Sequence, residues 1–120
     1  NGEKVSPSDM ELHIALDPLF EQAMVIGEGK PFLAALVVLD HKSCERYRIK
    51  PSDTPETQEV VLRQIAKRID SFPGYAKIQK AIVIPEPWTV ENGMITPTMK
   101  MRRRLICEKY ESKIAALYEE

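Results

Sequence analysis

The sequence predicts an α+β fold: a small mixed β-sheet of about three main strands plus a short hairpin, packed by about three helices. Two apolar runs, residues 32–39 and 78–86, are typical of buried strands. Between them, apolar residues recur at helical spacing, and proline and glycine mark the turns. The chain has 120 residues and no internal repeat, so we expect residues 1–120 to form a single domain.

The first helix and two strands are expected within residues 5–40. The segment VSPSDMELHIALD contains a proline suited to a first helical turn, with Ser6 or Ser8 as the cap. Strands are predicted at residues 23–26 and 32–39, joined by the turn GEGKP. Because the second strand lacks polar alternation, we expect it at the centre of the sheet. The apolar face of the helix would contain Met10, Ile14 and Leu16.

The second half alternates helices with one more strand. Residues 41–50 predict a short helix, and residues 56–72 an amphipathic helix. Asn92-Gly93 favours a type I′ turn, which would make residues 88–96 a hairpin. Residues 103–120 predict a final helix. The apolar positions of the amphipathic helix are Val61, Ile65, Ile69 and Phe72, and those of the final helix are Leu105, Ile106, Tyr110, Ile114 and Leu117.

Positive charge is concentrated in one segment. The net charge of the chain is −1, but residues 1–60 carry −5 and residues 61–120 carry +4. Lys100, Arg102, Arg103 and Arg104 fall within five positions, after a glycine- and proline-bounded loop. The cluster is either a solvated helix start or an anion-binding loop. A lysine ammonium in such a loop suits phosphate or carboxylate.

Several other kinds of site are not supported. Cys44 and Cys107 are isolated, so we expect no disulfide or zinc site, and a reducing, cytoplasmic location. His13 and His41 are expected at the surface or in capping positions. No Ser-His-Asp order or GxSxG motif indicates a hydrolase. Trp88 is a lone aromatic with a packing role, so no nucleic-acid partner is expected. The eight-residue apolar run is too short to span a bilayer.

Two segments resemble one enzyme family. NGMITPTMKMRRRLICEKY is similar to the final signature of the AMP-forming acyl-CoA synthetases, above all their long-chain branch, where Thr-Pro-Thr-apolar-Lys-apolar-basic-Arg precedes the last helix. NGEKVSPSDME resembles the segment just beyond the hinge of the same enzymes. The segments have the family's order and about its separation, so the resemblance covers nearly the whole chain. It implies the mobile C-terminal lid domain of a long-chain fatty-acid–CoA ligase.

The resemblance also implies a role for three residues. Lys100 matches the lysine that enters the active site for adenylation, between the attacking carboxylate and the α-phosphate. Gly2 matches the glycine that lines the path of the CoA pantetheine arm in the second half-reaction. Arg103 matches an arginine whose contact stays unassigned. The implied substrates are ATP, CoA and a fatty acid, with Mg²⁺ in the complete enzyme but not bound by this domain.

The same resemblance implies a partner and leaves alternatives. The partner is the enzyme's own N-terminal adenylation domain, and the complete enzyme could associate peripherally with a membrane. Because the chain begins with Asn1 and lacks the ATP and acyl sites, we expect a fragment that is inactive alone. Met99 and Glu3 stand where many relatives have glycine and an aromatic residue. The alternatives are an aryl or short-chain acid–CoA ligase, a fatty-acyl-AMP ligase, or a stand-alone anion-binding module.

Overall fold

The computed structural model describes residues 6–119, apart from the side chain of Tyr75. It divides into two compact units, the first ending at Pro85 and the second beginning at Glu86. The prediction of a single domain stays a prediction. The elements are α1 Pro7–Ile14, β1 Phe20–Ile26, β2 Leu33–Leu39, α2 His41–Tyr47, α3 Pro55–Arg68, a 3₁₀ turn Gly74–Ala76, β3 Ile78–Val83, α4 Arg103–Lys109 and α5 Glu111–Leu117.

The three strands form one mixed sheet in the order β1-β2-β3. β1 pairs antiparallel with β2, and β2 pairs parallel with β3. A parallel pair needs a long crossover, which α2 and α3 supply. Every residue of β2 from Ala34 to Leu39 is buried. The predicted α+β class, the mixed sheet and the central position of the second strand are therefore confirmed.

α3 is the amphipathic helix that the sequence predicts. Its N-cap is Thr54, whose side-chain oxygen accepts a hydrogen bond from the Thr57 N–H, and Pro55 occupies the first helical position. Val61, Ile65 and Ile69 are buried, whereas Phe72 is half-buried. α3 packs against β3 and α1 packs against β1. These two helices therefore cover one face of the sheet in the first unit.

Two helical predictions need correction. α1 ends at Ile14, and Leu16, predicted on its apolar face, is 68% exposed. The predicted continuous helix over residues 103–120 is two helices, because Tyr110 (φ −108°, ψ 26°) lies outside helical dihedrals. Of the predicted apolar positions only Ile106 is fully buried. A helix in a protein is stabilised mainly by its buried face. α5 contains no buried residue, so it does not extend the buried face of α4.

A buried carboxylate joins the end of α1 to α3. Asp17 is 1% exposed. It accepts hydrogen bonds from the Leu19 N–H at 3.0 Å, from Gln64 Nε2 at 3.0 Å and from Arg68 Nε at 3.2 Å. Burial raises the pKa of Asp17, but the three hydrogen bonds and the charge of Arg68 together lower the pKa below its ordinary value. Asp17 is therefore an ionised structural residue at neutral pH.

Replacing this carboxylate should destabilise the fold in a pH-dependent way. We expect Asp17→Asn to lower the free energy of unfolding by about 1–3 kcal/mol at pH 7, because charge-assisted hydrogen bonds are lost. The folded-state pKa lies below the unfolded value of about 3.9, so the stabilisation is complete above that pH and is lost as pH falls through the folded pKa. Urea unfolding should therefore show a constant difference from pH 7 to about 5 that shrinks below about pH 4.

Asp70→Asn is the matched control. Asp70 is an exposed aspartate just after α3. We expect its replacement to change the free energy of unfolding by less than about 0.5 kcal/mol, both at pH 7 and below about pH 4. If Asp17→Asn were no more destabilising than this control, the network around Asp17 would not stabilise the fold.

Candidate functional site

The second unit contains few fully buried side chains. Trp88, Ile95 and Ile106 are 2%, 7% and 0% exposed. The prediction that Trp88 has a packing role is consistent with this burial. The residues between Trp88 and Ile106 include every cation of the basic cluster. The cluster therefore lies between buried residues of the same short unit.

The turn at Asn92-Gly93 is not the predicted hairpin. The Asn92 side-chain oxygen accepts hydrogen bonds from the N–H groups of Thr89 and Met94, and its amide nitrogen donates to the Pro87 carbonyl. Only Gly93 has positive φ, at 82°, whereas a type I′ turn needs positive φ at both central residues. The side chain of Asn92 thus satisfies backbone groups in a compact turn, and among residues 6–119 no strands flank it.

The antiparallel pairing instead surrounds a turn whose central residues, 97 and 98, lie five positions after the predicted ones. Ile95 forms an isolated antiparallel bridge with Met101, and the Arg102 N–H donates to the Met94 carbonyl at 2.8 Å. We call residues 94–102 the lysine hairpin. Because Ile95 is buried, the stem of this hairpin is anchored by an apolar side chain. Sequence reasoning therefore expected a hairpin in this region but assigned its turn to the wrong residues.

The loop of the lysine hairpin is closed by Thr96. The Met99 N–H donates to the Thr96 carbonyl at 2.8 Å, which makes a four-residue turn with Pro97 in its second position. The Thr96 N–H donates to the Lys100 carbonyl at 2.8 Å, and the Lys100 N–H donates to Thr96 Oγ1 at 3.0 Å. Both backbone groups of Lys100 are therefore bonded to one residue. Sequence reasoning missed this role of Thr96, although threonine before proline is a turn signal.

Met99 has the left-handed backbone conformation that this loop requires. Its φ is 69°, and three-residue hairpin loops commonly end on such a residue, usually glycine. For an L-residue this conformation costs about 1–2 kcal/mol. The Met99 side chain is 71% exposed. The folded unit therefore contains a strained residue whose side chain gains little burial.

Lys100 is exposed at the end of this braced loop. Among residues 6–119, no carboxylate forms an ion pair with its ammonium. A cation held this way by its backbone, with a solvated side chain, is available to an anionic ligand. Among the described residues, Lys100 thus has a backbone fixed by hydrogen bonds and a side chain that forms no ion pair.

The arginines that follow differ in their surroundings. Arg103 is the first residue of α4, and Arg104 pairs with Glu108 at 3.5 Å. Burial raises the pKa of the Cys107 thiol, and the charge of Arg103 lowers it by less. The raised pKa disfavours the reactive thiolate form of Cys107.

The remaining predicted positions lie in the first unit or among residues that the structure does not describe. Gly2, predicted on the CoA path, falls among residues 1–5, outside the described residues. His13 is an exposed residue whose Nδ1 lies 2.9 Å from the Asp9 carbonyl oxygen, and His41 is the exposed first residue of α2.

Among residues 6–119, no group of three or more His, Cys, Asp or Glu side chains could hold a metal ion. None of the helices in that range is long and apolar enough to cross a membrane.

A groove of about 620 Å³ opens on the first unit, between the end of α3 and the start of β3. Its lining is mostly apolar and includes Leu62, Ala66, Ile69, Phe72, Pro73 and Ile78. No predicted site residue lines it. The lysine hairpin is therefore the better candidate for a functional site.

The chain is similar to known proteins over nearly its whole length. The family model of the AMP-binding enzyme C-terminal domain matches residues 1–120. The long-chain-fatty-acid–CoA ligase FadD15 of Mycobacterium tuberculosis is 31% identical over 98% of this chain and 21% of the relative. The long-chain-fatty-acid–[acyl-carrier-protein] ligase AEE15 of Arabidopsis thaliana is 30% identical over 98% of this chain and 16% of the relative. The chain thus spans about a fifth of the length of these relatives.

Solved structures show the same fold. The adenylation domain of a carboxylate reductase from Mycobacterium chelonae aligns with a TM-score of 0.84 at 28% identity, over 99% of this chain and 18% of that one. An acyl-CoA synthetase from Brucella canis aligns with a TM-score of 0.61 at 22% identity, over 93% of this chain and 18% of that one, and shows the fold alone. By the family match over its whole length, the chain belongs to the AMP-binding enzyme C-terminal domains.

Proposed function

We propose that this chain is the C-terminal domain of a long-chain fatty-acid–CoA ligase and that Lys100 is its catalytic residue for adenylation. The observation that carries the proposal is the exposed Lys100 ammonium on a backbone bonded at both N–H and C=O to Thr96. The likeness to a long-chain fatty-acid–CoA ligase over 98% of the chain supports the substrate class. The complete protein would also contain an N-terminal adenylation domain, which binds ATP and the fatty acid.

The chemistry needs a cation at one place. Adenylation joins a carboxylate to the α-phosphate of ATP, with pyrophosphate as the leaving group. Two unit charges of the same sign 4 Å apart repel by about 4 kcal/mol at an effective dielectric constant of 20. An ammonium between them offsets this repulsion and stabilises the charge that develops in the transition state. A braced backbone limits the reorganisation that this step requires.

Other residues of the chain would act in the second half-reaction. We propose that Gly2 lines the route of the CoA thiol once the domain has rotated. We also propose that Arg103 makes a contact whose partner is unassigned. Mg²⁺ would be held by the complete enzyme and not by this domain. We further propose that the enzyme is cytoplasmic and that it contacts a membrane peripherally.

A different thiol acceptor is the second candidate function. The relative AEE15 is named as an acyl-carrier-protein ligase, and the adenylation domain of a carboxylate reductase aligns over 99% of this chain. The name of AEE15 favours another acceptor, and the alignment with the reductase favours only a common adenylation step. Supplying the complete protein with fatty acid, ATP and either CoA or an acyl carrier protein decides between the acceptors, and acids of several chain lengths decide the substrate class.

Lys100→Ala in the complete protein should separate the half-reactions. We expect adenylation, measured as acid-dependent pyrophosphate release, to fall by about 10²–10³-fold, as for loss of a group that stabilises transition-state charge. Thioester formation from supplied acyl-adenylate should survive, because no carboxylate then has to approach the phosphate.

Arg102→Ala is the matched control for this measurement. Arg102 is an exposed cation two residues from Lys100. We expect both half-reactions of this variant to stay within about threefold of wild type, since general surface charge is screened by salt. Equal loss of both steps in Lys100→Ala, or loss of neither, would refute the role of Lys100.

Thr96→Val tests whether the bond to the lysine backbone matters. Valine preserves the shape of threonine but removes the Oγ1 acceptor of the Lys100 N–H. We expect adenylation to slow by about three- to tenfold, equivalent to about 1 kcal/mol for one hydrogen bond. Thr98→Val is the control, because the Thr98 hydroxyl contacts Thr96 Oγ1 and not Lys100. Equal rates for the two variants would show that the bond does not position the lysine.

A further inference from the structure

Two non-glycine residues among residues 6–119 have positive φ, Arg48 and Met99, and at Met99 the loop explains the conformation but not the choice of methionine over glycine. Arg48, with φ 58°, caps α2, and its N–H donates to the carbonyls of Cys44 and Glu45. Left-handed residues are common at such helix ends. Met99, with φ 69°, caps no helix, and its one backbone hydrogen bond, to Thr96, would form equally well from glycine.

The side chain of Met99 has no evident role inside its own unit. It is 71% exposed, and the residues on either side of it, Thr98 and Lys100, are polar and cationic. Glycine would relieve the strain of the backbone and would leave no apolar side chain in water. Strained residues persist where the surrounding structure fixes them, and they cluster at functional sites. The exposed methionine side chain is therefore not explained by the fold of its own unit.

We propose that Met99 is a positioning residue for Lys100, whose apolar side chain excludes water from the ammonium when the ammonium meets the reacting carboxylate. The inference rests on the proposed adenylation role of Lys100. Consecutive Cα atoms are about 3.8 Å apart, so Met99 travels with Lys100 wherever the hairpin goes. The long, flexible thioether side chain can fill an irregular space beside an acyl substrate.

The physical effect would be a lower local dielectric constant around an ion pair. Removing water strengthens the attraction between an ammonium and two anionic reactants, and the same removal protects the acyl-adenylate from hydrolysis. Neither effect requires a hydrogen bond from Met99. An apolar side chain of similar size should replace it, and a polar side chain of similar size should not.

The test compares three variants in the complete protein. Relative to wild type, Met99→Gly and Met99→Gln should lower the kcat of adenylation by about tenfold or more, and Met99→Leu should stay within about twofold. Thioester formation from supplied acyl-adenylate should be unchanged in all three. The temperature of unfolding of Met99→Gly should not fall, because glycine relieves the left-handed backbone. A loss of activity without a loss of stability is a result that a merely structural role of Met99 would not give.

Arg48→Gly and Lys100→Ala complete the design. Arg48→Gly changes the other left-handed residue and should leave adenylation at the wild-type rate. If Lys100→Ala loses adenylation while Met99→Gly retains it, the inference about Met99 fails and the proposed function stands. If Lys100→Ala retains adenylation, both fail. Equal activity of Met99→Gln and Met99→Leu would also overturn the inference, because apolarity would then be irrelevant.

Discussion

The hydrogen bonds between Thr96 and the backbone of Lys100 are the constraint on which the candidate site depends. They fix the Cα of Lys100 between the stem of the lysine hairpin and the start of α4. The stem is in turn held by buried Ile95. A lysine side chain loses much rotamer freedom when it binds, so a fixed backbone reduces the entropy that remains to be lost. The site thus combines a backbone fixed by hydrogen bonds with a cationic side chain that can extend.

Much of the fold was predictable, because burial controls it. The uninterrupted apolar residues of β2 required a central strand, and the spacing of Val61, Ile65 and Ile69 required one buried helical face. The sequence could not show where the final helix breaks. The apolar spacing of that segment continues through Tyr110, but the residues after it are not buried. A sequence pattern shows which residues are apolar and does not show what they contact.

The role of Lys100 stays a prediction from the sequence, and the geometry of its loop was not predicted. The cluster of cations and the resemblance to a family both singled out Lys100. The turn was assigned to Asn92-Gly93 because that pair favours two left-handed residues in sequence. In the structure the Asn92 side chain bonds backbone groups instead, and the left-handed residue of the hairpin is Met99, a residue type that gives no such signal. Local competition for hydrogen bonds, which the sequence does not display, decided between the two turns.

The most direct test of the central claim is a crystal structure of the complete protein bound to a non-hydrolysable acyl-adenylate analogue. We expect the Lys100 Nζ atom to lie within hydrogen-bonding distance, about 3 Å, of the oxygens that join the acyl group to the phosphate. We also expect the bonds between Thr96 and the Lys100 backbone to be preserved. An ammonium directed back into its own unit while the adenylate site is occupied and closed would contradict the role of Lys100 in adenylation.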